Sequence, residues 1–366
     1  MIVAGEASGD LHAAGLAAAL KRTHPDWRLT GMGGARMVAA GVEVSERTDT
    51  SAVMGFVEVL RTVPHHYALL KRFRERLESG AVNCLVLIDY PGFNLRLAAA
   101  AKDAKVPVLY YITPQVWAWG ANRLPRMAEL ITKAAVILPF EEELLRAHGI
   151  DATFVGHPLL DRARSMPDRG GARKSLGLPD AARVLALFPG SRQQEIDRHL
   201  EDFVRTAQLL EREHHDLQVV VATAPGIVIP PEHCPYRTIT ESSLALLRAA
   251  DAAVCKSGTT TLEAAVAGCP LVVAYRTSRW THAIARRVVR IPRIGLVNVV
   301  AGKEVAREFV QGDLVPEAMA RTLSPLLVAG SPERERMLRE LGEVRDRLGS
   351  AGAADRVADM VAALVS

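Results

Sequence analysis

The stretch Leu187 to Ile196 reads LFPGSRQQEI, and it decides the fold. A buried-looking apolar run, Val184 to Phe188, stops at Pro189-Gly190-Ser191-Arg192, and helical spacing then resumes through Leu210. That pattern predicts strand, tight turn and helix. Gly190 lets backbone come close to a ligand, Ser191 can cap the helix, and exposed amides with Arg192 present positive charge to an anion such as phosphate. Units of this kind without a ligand are common in α/β proteins, so this turn alone leaves the structural and the phosphate-binding readings open.

A second stretch repeats the pattern. The strand Ala252 to Cys255 runs into Lys256-Ser257-Gly258-Thr259-Thr260-Thr261-Leu262-Glu263, again a glycine-containing turn and a helix start. The hydroxyl residues can cap that helix or donate to phosphate oxygens. Glu263, one turn in, can close a capping box with Thr260 or accept the two hydroxyls of a ribose. Two anion-ready helix starts with one carboxylate fit a nucleoside diphosphate better than either turn does alone.

The first half shows the same alternation. Residues 2–5 predict a strand, Glu6 to Asp10 a turn, and Leu11 to Lys21 a helix. That turn is not G-x-G-x-x-G, which disfavours a nicotinamide dinucleotide. The apolar strand Cys84 to Ile88 delivers Asp89 to its carboxyl end, where such folds place their chemistry; Asp89 reads equally as a general base or as a helix cap. Further strands are expected at Val106 to Tyr111, Val136 to Leu138 and Thr153 to Val155. Trp117 and Trp119, two residues apart, cannot both be core in an extended segment, so one should face a cleft or lipid. Leu160 to Lys174 lose hydrophobic periodicity and contain Pro167, Gly170 and Gly171, which predicts an interdomain linker. The expected domains are 1–163 and 164–352, with a last helix from about Ala353 to Ser366 rejoining the first. The fold class that follows is α/β, two Rossmann-like parallel-sheet domains facing across a cleft.

Length and composition agree. The 366 residues suit two domains, and 49% hydrophobic with 23% charged residues is ordinary globular composition. No window has the apolar length of a bilayer span, and the N-terminus lacks the basic and apolar regions of a leader, which predicts a cytoplasmic protein. Cys84, Cys234, Cys255 and Cys269 lack C-x-x-C spacing, so neither zinc nor disulfides are expected. The net charge of +4 is modest but unevenly spread: 61–76 carries five basic residues against Glu75, and 279–293 five arginines and no acid. In the helix expected after Pro64, Leu70, Phe73 and Leu77 share one face while Lys71, Arg72, Arg74 and Arg76 crowd the other. That suits a helix lying on an anionic membrane, though the spacing alone slightly favours a solvated surface helix packing its stripe inward. Residues 294–311 hold too many polar side chains for an interior strand, and a loop with a short helix is expected there.

The motifs GEASGD, VMGFVEVL, IDYPGFN, PQVWAW, ILPFE, FVGHPL, FPGSR, SGTTTLEA and LVNVVAGKEV, with Gln311, follow one another in order over nearly the whole chain. In this the chain resembles the lipid-A-disaccharide synthases of Gram-negative bacteria. The resemblance implies a GT-B glycosyltransferase, independent of metal and of any cofactor. Such an enzyme joins UDP-2,3-diacylglucosamine to 2,3-diacylglucosamine 1-phosphate (lipid X), forming the β-1,6 disaccharide with inversion and releasing UDP. It implies UDP on the second domain, with Ser191 and Arg192 at the phosphates, Ser257, Gly258, Thr259, Thr260 and Thr261 opposite, and Glu263 at the ribose. Asp89 resembles the family's proposed base, with Glu6 and His12 as rivals, and Asn298, Glu304 and Gln311 resemble residues lining its active site. The acyl chains promote Leu70, Arg72, Phe73, Arg76, Trp117 and Trp119 to contacts with an anionic inner-membrane surface, making the protein peripheral; a homodimer is allowed, and no nucleic-acid partner is expected. Three features depart from the family pattern: a short N-terminus, Gly92 where an acid is common, and Val297 where proline often precedes the asparagine. The rival readings are a peptidoglycan lipid-carrier GlcNAc transferase, a UDP-GlcNAc 2-epimerase, a non-catalytic nucleotide- or lipid-binding protein, and a dehydrogenase.

Overall fold

The structure, a computed structural model, describes residues 1–48, 56–240, 243–278 and 292–365, without the side chains of 56–64. The side chains of the Val53 to Leu60 motif and the arginines from 279 to 290 lie outside the described residues. Two compact units emerge, Met1–Pro158 with Ser350–Ser366, and Leu159–Gly349.

The first unit alternates strictly: β1 (Ile2–Ala4), α1 (Ala7–Thr23), β2 (Thr30–Gly33), α2 (Ala35–Ala39), β3 (Glu43–Arg47), α3 (Phe56–Glu78), β4 (Leu85–Ile88), α4 (Pro91–Asp103), β5 (Val108–Tyr111), α5 (Leu124–Leu130), β6 (Lys133–Val136), α6 (Glu141–Arg146) and β7 (Ala152–Phe154). Its strands form one parallel sheet in the order β3-β2-β1-β4-β5-β6-β7. The central strands are short, wholly apolar and buried on both faces, as helix-covered parallel sheets require. The order reverses between β1 and β4, which puts the ends of those strands at the switch point where such sheets bind ligands.

The second unit continues with α7 (Leu159–Arg164), α8 (Arg169–Leu176), β8 (Arg183–Phe188), α9 (Gln193–Glu213), β9 (Leu217–Thr223), β10 (Arg237–Thr240), α10 (Ser243–Ala249), β11 (Ala252–Lys256), α11 (Thr260–Ala267), β12 (Leu271–Tyr275), α12 (Leu296–Ala301), β13 (Glu308–Val310), α13 (Pro316–Leu323) and α14 (Pro332–Arg347). Its parallel sheet runs β10-β9-β8-β11-β12-β13. The last helix, α15 (Ala353–Val365), belongs to the first unit, where Val357, Ala358 and Val361 join the apolar cluster of Leu16 and Leu20 from α1.

Several expectations are corrected. Residues 160–174 are not a linker but the two helices α7 and α8 of the second unit. Their periodicity is weak because polar contacts hold α8. The Asp168 carboxylate caps its first turn through Gly171 N–H at 2.7 Å, and Arg169 and Arg173 reach Asp251 at 2.6 and 2.9 Å. The region 294–311 holds α12 and also the edge strand β13, where polar side chains are tolerated on the open side. The strand expected at Val136 to Leu138 lies earlier, at Lys133–Val136, so that Ile137 and Leu138 belong to the loop that follows it. Helix α3 begins before Pro64, at Phe56.

The membrane reading of α3 also changes. Leu69, Phe73 and Leu77 are at most 3% exposed in the core with Phe93 and Leu97, and Leu70 packs half-buried against it. The stripe therefore faces the sheet, and Phe73 has no surface to offer a lipid. On the outer side Arg72 pairs with Glu46 at 2.6 Å, and Arg74 with Glu78 and Asp103.

One acidic residue of the opening motif has a structural task. The sequence suggested a turn from Glu6 to Asp10, but α1 already starts at Ala7, and Asp10 is buried in it. Its carboxylate accepts the N–H groups of Gly34 (2.7 Å), Arg36 (3.1 Å) and Met37 (3.1 Å), capping α2 from another helix. Gly34 must be glycine for this, since a Cβ there would stand 2.7 Å from the carboxylate. Loss of a buried cap strands several amides, so Asp10→Ala should cost about 2 kcal/mol of unfolding free energy, read as a lower urea midpoint, with Asp10→Asn losing less. An unchanged midpoint for Asp10→Ala would show the cap to be dispensable.

Candidate functional site

In the first unit the pairing Ala4↔Ile88 sets the ends of β1 and β4 side by side, and with them Glu6 and Asp89. Asp89 and Tyr90 take consecutive positive φ angles of 46° and 49°, a conformation costly for residues with a Cβ and found mostly where surroundings enforce it. The enforcement is visible. The Asp89 carbonyl accepts from Tyr110 Oη (2.6 Å) and Asn94 Nδ2 (2.7 Å), and its N–H donates to Ile112 O (3.2 Å). Tyr90 Oη meets His66 Nε2 of α3 at 2.6 Å, and its ring lies on Gly5, where a Cβ would come within 2.3 Å of it.

The Asp89 side chain is half-buried and has no ion-pair partner among the described residues. Burial and the nearby Glu6 carboxylate push its pKa upward, against the Tyr90 amide. Tyr90, not Asp89, occupies the N-cap of α4, with no side-chain cap bond. Glu6 is exposed at the N-cap of α1, and His12 is half-buried, edge-on to Tyr111 at 6.4 Å. Gly92 faces open space, so the chain has room for the carboxylate it lacks there.

The tryptophans divide. Trp117 donates from Nε1 to Glu141 Oε1 at 3.0 Å and stands edge-on to Phe140, whereas Trp119 is 46% exposed with the Arg123 guanidinium 4.7 Å above its ring. Glu141 is buried, and its other oxygen accepts Leu138 N–H at 3.1 Å. Burial drives its carboxyl up to about 7, against those N–H bonds.

In the second unit the pairing Cys255↔Phe188 brings the Pro189–Arg192 and Lys256–Thr259 turns together. Arg192 is the N-cap of α9 with no side-chain cap bond, so Ser191 does not cap this helix. Glu195 does the equivalent work: Oε2 accepts Ser191 N–H at 2.9 Å while Oε1 takes Lys256 Nζ at 2.8 Å. Burial opposes ionisation of Glu195, but Lys256 and the Ser191 amide outweigh it and lower its pKa. Gly190, at φ 145°, leaves room for this, since a Cβ there would stand 2.4 Å from that of Glu195. His199, buried on α9, donates from Nδ1 to Glu195 O (2.7 Å) and accepts Arg276 N–H at Nε2 (2.8 Å). That pattern fixes its neutral tautomer and ties the start of α9 to the end of β12.

In the neighbouring turn Ser257 Oγ donates to Ile294 O (2.7 Å), and Thr259 is exposed at the N-cap of α11. Thr261 is fully buried, its hydroxyl donating to Gly258 O (2.9 Å) and accepting Val297 N–H (3.3 Å), a bond a proline at 297 could not make. No capping box forms between Thr260 and Glu263. The Glu263 carboxylate, 9% exposed, is held instead by Arg162 at 3.0 Å. Beside Arg162 opens a cavity of about 230 Å³ lined by Ser165, Met166, Pro167, Ser243, Leu244 and Ala245.

Asn298 is corrected: it is 0% exposed and lines no surface. Its amide donates to Ala306 O and Glu308 Oε1, and its carbonyl accepts Val305 and Ala306 N–H, which uses its full hydrogen-bonding capacity. Glu308 completes this frame by accepting Ile294 and Gly295 N–H before α12. Glu304 is exposed and paired with Arg307. Gln311 sits at φ 54° with Nε2 buried and unbonded.

Sequence reasoning missed Glu195, Lys256, Arg162 and Glu308. The i, i+4 spacing of Ser191 and Glu195 was a signal for the first; the others depend on long-range pairing. Among the described residues no group of three or more His, Cys, Asp or Glu could hold a metal, and no helix is long and apolar enough to cross a membrane.

Two parallel-sheet α/β units define a fold of the GT-B class. The UDP-GlcNAc 2-epimerase of Neisseria meningitidis superposes with a TM-score of 0.64 at 12% identity, covering 99% of each chain. The glycotransferase of kitacinnamycin gives 0.67 at 17%, covering 100% of this chain and 98% of its own. At these identities the likeness shows the fold alone. The sequence is more specific: residues 1–350 match the family described as lipid-A-disaccharide synthetase. The chain is also 41% identical to the lipid-A-disaccharide synthase of Myxococcus xanthus (strain DK1622) over 374 residues, 100% of this chain and 97% of that one. The chain therefore belongs to the lipid-A-disaccharide synthase family, glycosyltransferases of lipid A biosynthesis.

The Glu141 carboxyl supplies a test of the first unit's electrostatics. A folded-state pKa raised from about 4.5 to about 7 means that the folded state holds the proton more tightly than the unfolded. The associated stability is complete below about pH 4.5 and is lost as pH rises through 7. The melting temperature of Glu141→Gln relative to wild type should therefore move in the variant's favour between pH 5 and pH 8. A difference independent of pH would place the Glu141 pKa in the ordinary range.

Proposed function

We propose that the chain condenses UDP-2,3-diacylglucosamine with 2,3-diacylglucosamine 1-phosphate (lipid X), giving the β-1,6 disaccharide 1-phosphate and UDP with inversion. The first unit serves the acceptor and the second the UDP-sugar. Family membership, with a match over residues 1–350 and a relative aligned along the whole chain, supports the reaction, and the observation that carries the mechanism is the enforced backbone at Asp89–Tyr90. It holds a carboxylate of raised pKa at the switch point, the place and proton affinity a general base needs.

In the step, Asp89 takes the proton of the acceptor's 6-hydroxyl as that oxygen bonds to the donor's anomeric carbon. The bond from that carbon to the diphosphate oxygen breaks, and UDP leaves with the electron pair. Glu6 lies close enough to raise the Asp89 pKa and is the rival base, with His12 on the same helix start. The amides of the Pro189–Arg192 turn, the Arg192 guanidinium and the Ser257–Thr260 turn stabilise the leaving diphosphate. Glu263 takes the ribose hydroxyls with Arg162 holding its other side, and the cavity beside Arg162 is large enough for a pyrimidine base. Thr261 and Asn298 act from behind, shaping the turn and the loop after α12, while Glu304 and Gln311 face substrate. Trp119, exposed on the first unit, meets acyl chains at the membrane surface; the buried stripe of α3 does not. The enzyme then works as a peripheral protein on the cytoplasmic side of the inner membrane.

A detergent-micelle assay with the two acylated sugars tests this reading. Wild type should release UDP and form disaccharide, and Asp89→Asn, which keeps size and removes charge, should lose on the order of 10²-fold or more in kcat with its circular dichroism unchanged. The acid limb of the wild-type profile should lie above the ordinary aspartate range, since only the ionised carboxylate is a base. Activity surviving in Asp89→Asn would transfer the base to Glu6 or His12. Turnover of water-soluble UDP-GlcNAc in place of the acylated donor would overturn the function.

A further inference from the structure

The Glu195–Lys256 pair joins the two anion-ready turns of the second unit, and neither residue belongs to the binding set above. Lys256 ends β11, immediately before the Ser257–Thr261 turn. Its ammonium, on a side chain 21% exposed, lies 2.8 Å from Glu195 Oε1 and 5.8 Å from the Tyr275 ring centroid. The other oxygen of Glu195 lies on the Ser191 amide, in the turn that would receive a phosphate. A carboxylate placed there by itself would repel a diphosphate.

An ammonium has three donors, and Glu195 takes one of them. We propose that Lys256 is the cation that meets the diphosphate of the sugar nucleotide, and that Glu195 is its positioning residue, aiming the ammonium toward the Pro189–Arg192 turn. The proposal rests on the reading of the second unit as the nucleotide-diphosphate site. When UDP departs, negative charge grows on the diphosphate oxygens, and a lysine held beside them acts without reorganising. Glu195 lies close against Gly190, where no Cβ would fit, and is held by Ser191 N–H and, through its own carbonyl, by His199, so the ammonium is aimed by a fixed group. Free rotation of a lysine on a four-carbon stem would forfeit that advantage.

The test is calorimetric titration of the full chain with UDP and with uridine, joined to kcat in the micelle assay, for Lys256→Met, Lys256→Arg, Glu195→Gln and the double variant Lys256→Met/Glu195→Gln. In Lys256→Met, UDP affinity should fall by about 30-fold or more, because Glu195 is left uncompensated beside the phosphates, while uridine affinity stays within about twofold. Lys256→Arg should restore part of it. Glu195→Gln alone should lower kcat about tenfold through loss of aim, yet in the Lys256→Met background it should raise UDP affinity by removing the repulsion. That reversal of sign is one that a merely structural pair would not show. UDP affinity retained in Lys256→Met overturns the role of the lysine, and a parallel loss for uridine overturns it by showing general damage to the unit. Additive losses in the double variant overturn the positioning role of Glu195. If wild type binds uridine and UDP equally, or neither, the nucleotide-diphosphate reading itself fails and takes the proposal with it.

Discussion

Parallel pairing at two places, β1 with β4 and β8 with β11, is the constraint on which the rest of the structure depends. Parallel strands buried on both faces carry no polar side chains within the sheet, so any chemistry must collect where the strands end. The registers Ala4↔Ile88 and Cys255↔Phe188 then decide which turns become neighbours. Glu6 comes near enough to Asp89 for its charge to be felt there, and the Pro189–Arg192 turn lies beside the Lys256–Thr259 turn. A slip of one residue in either pair would exchange the side chains that meet the helices on each face and shift the turns past one another, so the packing that sets these registers also sets which turns are neighbours.

The two edges solve opposite electrostatic problems. In the first unit burial and then the nearby Glu6 carboxylate, with no cation paired to Asp89 among the described residues, raise the Asp89 pKa. In the second unit the burial of the Glu195 carboxylate is outweighed by Lys256, the Ser191 amide and Arg192, which lower its pKa. One edge is suited to taking up a proton and the other to holding an anion. A transferase that activates a hydroxyl and releases a diphosphate needs both.

The fold was legible because its strands are short apolar runs that stop abruptly at glycine-containing turns, as Val184 to Phe188 does before Pro189. Helical amphipathicity was legible as well, but its orientation was not: the stripe of α3 reads the same whether Phe73 meets a lipid or Phe93. The stretch 160–174 was misread because α8 is fastened by Asp251 and a capping aspartate, which leave no periodic trace. Asn298 was misread for a related reason. A fully buried asparagine that frames a loop and an exposed one that meets a ligand have the same letter, and only its four satisfied hydrogen bonds separate them.

Acidic residues in the motifs show the same ambiguity, and the structure sorts them by what their oxygens accept. Asp10, Asp168, Glu195 and Glu308 each take backbone N–H groups at or beside a helix start, where the unpaired amides and the helix dipole favour a charged carboxylate. These carboxylates serve the backbone, each occupied with holding amides in place, and for Glu195, despite burial, Lys256 and the Ser191 amide together lower the pKa. Asp89 is arranged the other way. The backbone around it is secured through its carbonyl and through Tyr90, which leaves the carboxylate free of ion pairs among the described residues, half-buried and beside a second acid. Securing the main chain in place of the side chain fixes the position of the carboxylate while its pKa stays raised. The strained φ angles at 89 and 90 are the cost of that arrangement, and Gly5, Asn94 and Tyr110 are the residues that sustain it.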